Sequence, residues 1–399
     1  MVRYKHLPVV LSHGRGPHLW DVAGNHYLDM TGSSGTNILG HKEPHTTLAA
    51  VDALTDGGFL FDGKSADEVA VGEVLARLYQ ADGVQFFRTG SCATSAAVRT
   101  MRLASNKDRV LTSGYHGWHD WAAEQTYHPA EGRVIDFGYD LSVLRELLDQ
   151  DGVAGIIVTL LAHTFGPEYW RELRELARSA GVFLAVDEIK TGVRYGLGGM
   201  SRSVGVTPDI TLLSKGLTNG MALSALVDHS GLSKYTATTN LGGTYRTERT
   251  PFAVALAMVQ LLEREPGVFD HLARMTDRFV RGMTAVLEEK QFGAAVFGRF
   301  GDIEFICESP SLWDELRLEG LGVGLFLPDD GNIMLTAAHR PEHIDTAIDA
   351  LGKALSRCAD AQSDGAGGRV TEFALQRGYG LTSRQIGEWG TPDVQAVLR

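Results

Sequence analysis

Three short stretches place reactive side chains where apolar runs end. VFLAVDEIKTG carries Asp187 and Glu188 at the exit of an apolar run, and DITLLSKGLTNG carries Lys215 at another, followed by Gly216 and Gly220. FFRTGSCATS runs into Thr89-Gly90-Ser91, and a helix-like segment follows. At such a strand-to-helix turn, backbone N–H groups and the positive helix end converge on an anion. Gly90 lets the backbone approach closely, and Thr89, Ser91 and Thr94 offer hydroxyls. Taken singly, each stretch has a plain explanation. The turn is also an ordinary N-capped helix, and a charge often marks a strand's exit into solvent.

Together they are more specific, because open α/β sheets bind ligands at the carboxyl ends of their strands. An anion turn, a carboxylate and a lysine on one edge suit pyridoxal 5'-phosphate. That cofactor needs a cradle for its phosphate, a carboxylate to keep its ring nitrogen protonated, and a lysine to hold its aldehyde as a Schiff base and then move protons. Partial burial lowers a lysine's pKa, which serves both of its roles.

A competing phosphate signal sits upstream. Gly58–Ser65 reads GFLFDGKS and fits the nucleotide-loop pattern G-x-x-x-x-G-K-[ST]. A nucleotide loop follows a buried strand, whereas TTLAAVDAL before this one has helical periodicity. Asp62 would oppose phosphate inside the cradle. Ser65 reads better as the N-cap of a helix beginning near Asp67 and Glu68. A P-loop nucleotide-binding protein stays as the alternative of another class.

The elements that must position these groups are legible in outline. Val84–Phe87, Arg109–Leu111, Gly155–Leu161, Val182–Val186, Asp209–Leu213 and Leu223–Val227 read as strands. The continuous apolar runs among them suit strands buried on both faces. Segments Cys92–Ala104, Leu141–Leu148 and Glu168–Ser179 read as helices between them. This alternation predicts an α/β fold with a mostly parallel central sheet. Residues 251–290 and 341–357 read as helical, and Phe300–Cys307 and Asn332–Thr336 as strands of a smaller α+β domain. The expected division is 1–50 as the N-terminal segment of the small domain, 51–255 as the large cofactor-binding domain, 256–362 as the C-terminal small domain, and 363–399 as a linker and tail.

The 399 residues are 44% hydrophobic and carry a net charge of -12. That balance argues against nucleic acid and against an anionic membrane surface, and no apolar run is long enough to cross a bilayer. Cys92, Cys307 and Cys358 lack metal-ligand spacing, and their odd number argues against a disulfide framework. No metal and a cytoplasmic location are expected.

The chain resembles the class III pyridoxal-phosphate aminotransferases of fold type I, in particular the glutamate-1-semialdehyde aminomutase-like group. LWDVAGNHYLDM, ILGHKEP, FRTGSCATSAAVRTMRLA, GYHGWHDW, VDEIKTGVRYGLGGMSRSVGVTPDI, LLSKGLTNGMALSALV, GTYRTERTPFAVALA and LTAAHRPEHIDTAI occur in family order. The resemblance implies the roles. Lys215 is similar to the Schiff-base lysine and Asp187 to the partner of the ring nitrogen. Gly90 and Ser91 match the phosphate turn, and Tyr115 matches the aromatic that stacks on the ring. Thr244 matches the threonine that reaches the phosphate from a neighbouring subunit, which implies a homodimer with active sites at the interface.

Several departures bear on the substrate. Where the aminomutase has Trp near its substrate, this chain has Ser34 within Gly32-Ser33-Ser34-Gly35-Thr36, which would open the pocket. The stretch after Tyr115-His116-Gly117, which carries a gating loop in the mutase, is much shortened. An aminomutase must retain its diamine between half-reactions, so losing the gate favours transamination between two substrates. The expected reaction is ping-pong transfer from an amino donor, glutamate, to an aldehyde or ketone, with an intramolecular 1,2-aminomutase as the alternative. Lys190, after Asp-Glu-Ile, is a candidate for the cofactor's phenolic oxygen or a solvated lysine. Arg88, Arg246 and Arg249 are candidates for a substrate carboxylate.

Overall fold

A computed structural model describes residues 9–127, 132–161, 164–236, 241–307 and 310–358. The described residues fall into two compact units. One comprises the chain up to Pro44 together with the chain from Glu265 onward, and the other is His45–Arg264. The second cut falls at a helix break. The stretch expected to be helical over 251–290 forms two helices, Arg249–Arg264 and Gly267–Glu289, parted at Pro266, which has no N–H to continue a helix. The whole first helix belongs to the larger unit rather than ending near residue 255. The linker and tail expected at 363–399 lie outside the described residues.

The smaller unit holds two sheets. Strands β1 (Leu11–Arg15), β2 (His18–Asp21) and β3 (His26–Asp29) form an antiparallel ribbon. The larger unit contributes β4 (Gly83–Phe87), β5 (Arg109–Ser113), β6 (Val134–Asp136), β7 (Val153–Thr159), β8 (Phe183–Asp187), β9 (Ile210–Leu213) and β10 (Ser224–Asp228). Back in the smaller unit, β11 (Ala294–Arg299), β12 (Asp302–Cys307) and β14 (Asn332–Met334) form a second sheet. The short strand β13 (Leu325–Phe326) pairs in parallel with β3. Trp313 is buried in this unit's core, and its indole N–H donates to Pro328 O at 3.0 Å.

The seven-stranded sheet has the order β4-β10-β9-β8-β7-β5-β6. From β9 to β6 neighbours are parallel, whereas β10 runs antiparallel to both β9 and β4. The reason is length: Ser214–Leu223 holds only one turn of 3-10 helix, too little for the crossover that a parallel partner needs. Six strands therefore end on one edge, and β10 begins there.

β7 and β8 are apolar and buried almost throughout, as a sheet covered on both faces requires. Helix Gly90–Ser105 lies on one face. Its Ala93, Ala96 and Ala97 are fully buried against Ala154, Ile157, Ala185 and Leu212, so short side chains bring the helix close to the sheet. Gly155 makes room for Met101, since a Cβ there would stand 2.4 Å from its sulfur. On the helix Pro167–Ser179, Tyr169, Trp170, Leu173 and Ala177 share the buried face, and Pro167 opens the first turn.

The smaller unit also gathers histidines. His18 lies 4.5 Å from His26 and 5.2 Å from His343 between ring centroids, and His339 lies 6.4 Å from His343. Burial lowers the pKa of His18 and His343 and takes His339 to about 4, against an opposing pull from Asp29 on His339. His339 Nδ1 accepts from Thr336 N at 3.0 Å, which holds the ring neutral. These rings bind protons more weakly folded than unfolded, so stability is lost as pH falls below the unfolded value of 6.5. Between pH 7.5 and 5.5, His339 alone should remove about 1 kcal/mol. Urea titrations at the two pH values should show a smaller difference for His339→Gln than for the wild type; equal differences would refute this assignment.

Candidate active site at the carboxyl edge of the sheet

Asp187 is the last residue of β8 and is 3% exposed. In register it lies beside Thr159 of β7 and Leu212 of β9. A carboxylate so buried needs hydrogen-bond donors. Ile189 N donates to Oδ1 at 3.0 Å, and His116 Nδ1 lies 2.9 Å from Oδ2. His116 Nε2 lies 3.2 Å from Ser113 O, and Trp121 stacks on the ring at 6.2 Å. Both neighbours of the ring are acceptors, so His116 is held between a carboxylate and a backbone carbonyl.

Glu188, the next residue, points elsewhere. It is fully buried and accepts from Ser201 N at 2.9 Å, from Met200 N and from the Ser201 hydroxyl. Burial raises its pKa. A Cβ on Gly199, whose φ is +79°, would collide with this carboxylate. Glu188 ties down the loop after the strand, so of the two acids only Asp187 suits a ligand.

Lys215 follows β9 after Ser214 and opens a 3-10 turn with φ +42°, a strained setting for a residue with a Cβ. The Ser214 hydroxyl donates to Leu223 O at 2.7 Å, and the Thr218 hydroxyl to Met221 O. Both fasten the loop on either side of the lysine.

A strand-to-helix turn forms where the sequence predicts one. Thr89 caps the helix Gly90–Ser105, its hydroxyl accepting from Cys92 N at 3.3 Å. The first-turn N–H groups of a helix have no acceptor within it. A Cβ on Gly90 would stand 2.7 Å from Ile189 Cδ1, and one on Gly117 would stand 2.2 Å from Ser91 Oγ. The cradle is thus closed by two glycines against the strand end that carries Asp187. Thr94 is not part of it: its hydroxyl donates inward to His116 O at 2.8 Å.

Tyr115 lies in the turn after β5 and is 74% exposed. Its carbonyl accepts from Thr159 Oγ1 at 3.1 Å, while Tyr139 Oη donates to Thr159 O at 2.9 Å. Buried Tyr139 thereby supports the turn bearing Tyr115 and His116.

The remaining candidates divide. Arg88 and Arg246 line a cavity of about 660 Å³ with Arg99, Arg102, Trp118 and Trp121. Arg88 also pairs with Glu248 at 2.8 Å. Arg249 does not line it; its Nε is 2.9 Å from Asp67 Oδ2. Lys190 is half-buried in the turn after Asp187, and Thr244 is exposed. Ser34 belongs to the smaller unit, exposed in a left-handed turn in which Gly32, Ser33, Ser34 and Gly35 all have positive φ. The stretch GFLFDGKS follows the helix Pro44–Asp56, not a strand, and Ser65 Oγ accepts from Glu68 N at 3.0 Å as cap of Ala66–Tyr79.

The donor set fits pyridoxal phosphate: helix N–H groups closed in by glycines, a buried carboxylate and a lysine, on the ends of β4, β8 and β9. His116 and Tyr139 are the supporting residues that spacing did not single out. The only signal for His116 was its place beside Tyr115, and Tyr139 carried none.

A family model described as "Aminotransferase class-III" matches residues 1–128 and 146–355. A 2'-deamino-2'-hydroxyneamine transaminase of Streptomyces kanamyceticus is 37% identical over 362 residues, covering 88% of this chain and 91% of its own. A glutamate-1-semialdehyde 2,1-aminomutase of Thermus thermophilus is 29% identical over 87% of this chain and 91% of its own. An omega-transaminase structure from Sphaerobacter thermophilus superposes with a TM-score of 0.80 at 22% identity, over 90% of this chain and 92% of that one. The last shows a shared fold.

His116→Ala should cost about 3 kcal/mol, because it strips a buried carboxylate of a partner. Denaturant unfolding checks this, and a loss below about 0.5 kcal/mol would show that the pair contributes no more than a surface contact.

Proposed function

This chain belongs to the class III aminotransferases, and from that membership we propose that it moves an amino group from glutamate to the carbonyl of a separate acceptor by a ping-pong route. The observation that carries the reading is the placement of Lys215 just past β9, three residues after Leu212, which pairs in register with buried Asp187.

Bound at this edge, pyridoxal phosphate supplies an aldehyde that takes up the amino group and a protonated ring that accepts an electron pair. The chain's residues do the rest. The first-turn N–H groups of Gly90 and Ser91 hold the phosphate. Asp187 keeps the proton on the ring nitrogen, and His116 keeps Asp187 oriented. Tyr115 covers one face of the ring. With its Nζ free, Lys215 would take the proton from the donor's α-carbon and return it across the shared nitrogen, in a 1,3-shift, to the carbon that the cofactor supplies as its aldehyde. The donor's keto product leaves before the acceptor enters, as ping-pong kinetics require.

Arg88 and Arg246 are the proposed contacts for the donor's second carboxylate, and Lys190 for the cofactor's phenolic oxygen. Arg249 is spent on Asp67. Exposed Thr244, beside the arginine-lined cavity and next to Tyr245 at 67% exposure, suits a homodimer in which it meets the partner's phosphate. We place the enzyme in the cytoplasm.

One observation supports an amino sugar or aminocyclitol acceptor: the 37% identity to the Streptomyces transaminase. The shortened stretch after Gly117 favours release over retention, and so transamination over internal mutation.

The test is a panel of amino donors added to the pyridoxal-phosphate-loaded protein, scored by loss of the yellow absorption. Glutamate should convert the cofactor and release 2-oxoglutarate before any acceptor is present; Lys215→Ala should not convert it. No conversion by any donor would overturn the reading. Amino transfer within one molecule, with no exchange with free glutamate, would establish the mutase instead.

A further inference from the structure

Ser224 is one of two polar residues, with Asp228, in a fully buried strand. β10 is buried at every position, and Ser224 itself is 0% exposed. Alanine would fill the same space without a hydroxyl to satisfy. A buried hydroxyl needs a partner, and this one has it: Ser224 Oγ donates to Thr89 O at 2.7 Å. The strand register explains the reach. Ser224 pairs with Phe87, the last residue of β4, and Thr89 lies just beyond.

Thr89 O is already engaged. It accepts from Cys92 N at 3.0 Å and from Ala93 N at 3.2 Å as the cap of the helix. Three donors on one carbonyl fix the plane of the Thr89–Gly90 peptide. In a trans peptide the C=O and the N–H point in opposite directions. Fixing Thr89 O toward β10 and the helix therefore fixes Gly90 N–H outward, toward the mouth of the cradle. Hydrogen bonds to the carbonyl also polarise the amide and strengthen its N–H as a donor.

We propose that Ser224 is a positioning residue for the phosphate cradle, aiming and strengthening the Gly90 N–H through the carbonyl of Thr89. Its neighbour Leu223 accepts from the Ser214 hydroxyl beside Lys215. The first residues of β10 thus hold the phosphate turn and the lysine turn in one fixed relation. The inference rests on the pyridoxal-phosphate reading of the site and adds a residue to it.

The experiment measures dissociation constants of pyridoxal phosphate, pyridoxal and inorganic phosphate for the cofactor-free protein, wild type and Ser224→Ala. One lost hydrogen bond of about 1 kcal/mol corresponds to about fivefold. Ser224→Ala should weaken pyridoxal phosphate and inorganic phosphate by about that factor and leave pyridoxal unchanged. Ser224→Gly should give the same pattern, and stands in if the alanine variant does not fold. Equal weakening of pyridoxal and its phosphate, or none of either, would overturn the inference while leaving the cofactor reading intact. A wild type that binds pyridoxal phosphate no better than pyridoxal would defeat both.

Discussion

A carboxylate buried at the end of a central strand constrains everything around it. At 3% exposure, the Asp187 carboxylate oxygens need nearby donors to replace the water they have lost. Its own loop gives one, through Ile189 N, and the turn after β5 gives the other, through His116. The second partner is distant in sequence, so the β5 turn must be held in place. Tyr139 and Thr159 hold it from below, and the Thr94 hydroxyl holds His116 by its carbonyl. A ligand that brings its own N–H to Asp187 meets a carboxylate already aligned.

The second organising fact is the reversal of β10. A short connection after Lys215 forces the strand to turn back, and that places its first residues among the other strands' ends. Leu223 and Ser224 then touch the lysine turn and the phosphate turn from one side. Lysine and carboxylate are thus fixed to adjacent strands, and the anion cradle to β4 with β10 between, a rigid support for chemistry that tolerates little misplacement.

What the sequence revealed follows from what is local. Apolar runs such as GIIVTLL, the helix between β7 and β8, and the Thr89 and Ser65 caps are set by neighbours a few residues apart, and each forms within two residues of where pattern reading puts it. The GKS stretch was also decidable locally, since no strand runs into it. The direction of β10 was not read, although the shortness of its connection held the clue. The roles of His116, Tyr139 and Ser224 depend on partners 71, 20 and 135 residues away, which no spacing rule reaches. Thr94 and Arg249 looked available in sequence because their partners, His116 O and Asp67, lie 22 and 182 residues away.

The most direct measurement is to load the protein with pyridoxal phosphate, reduce it with borohydride, digest it, and locate the fixed cofactor by mass spectrometry. Reduction locks the cofactor to whichever lysine holds it. The account predicts a single label on Lys215. A label on Lys190 or Lys64, or a protein left unlabelled, would contradict it.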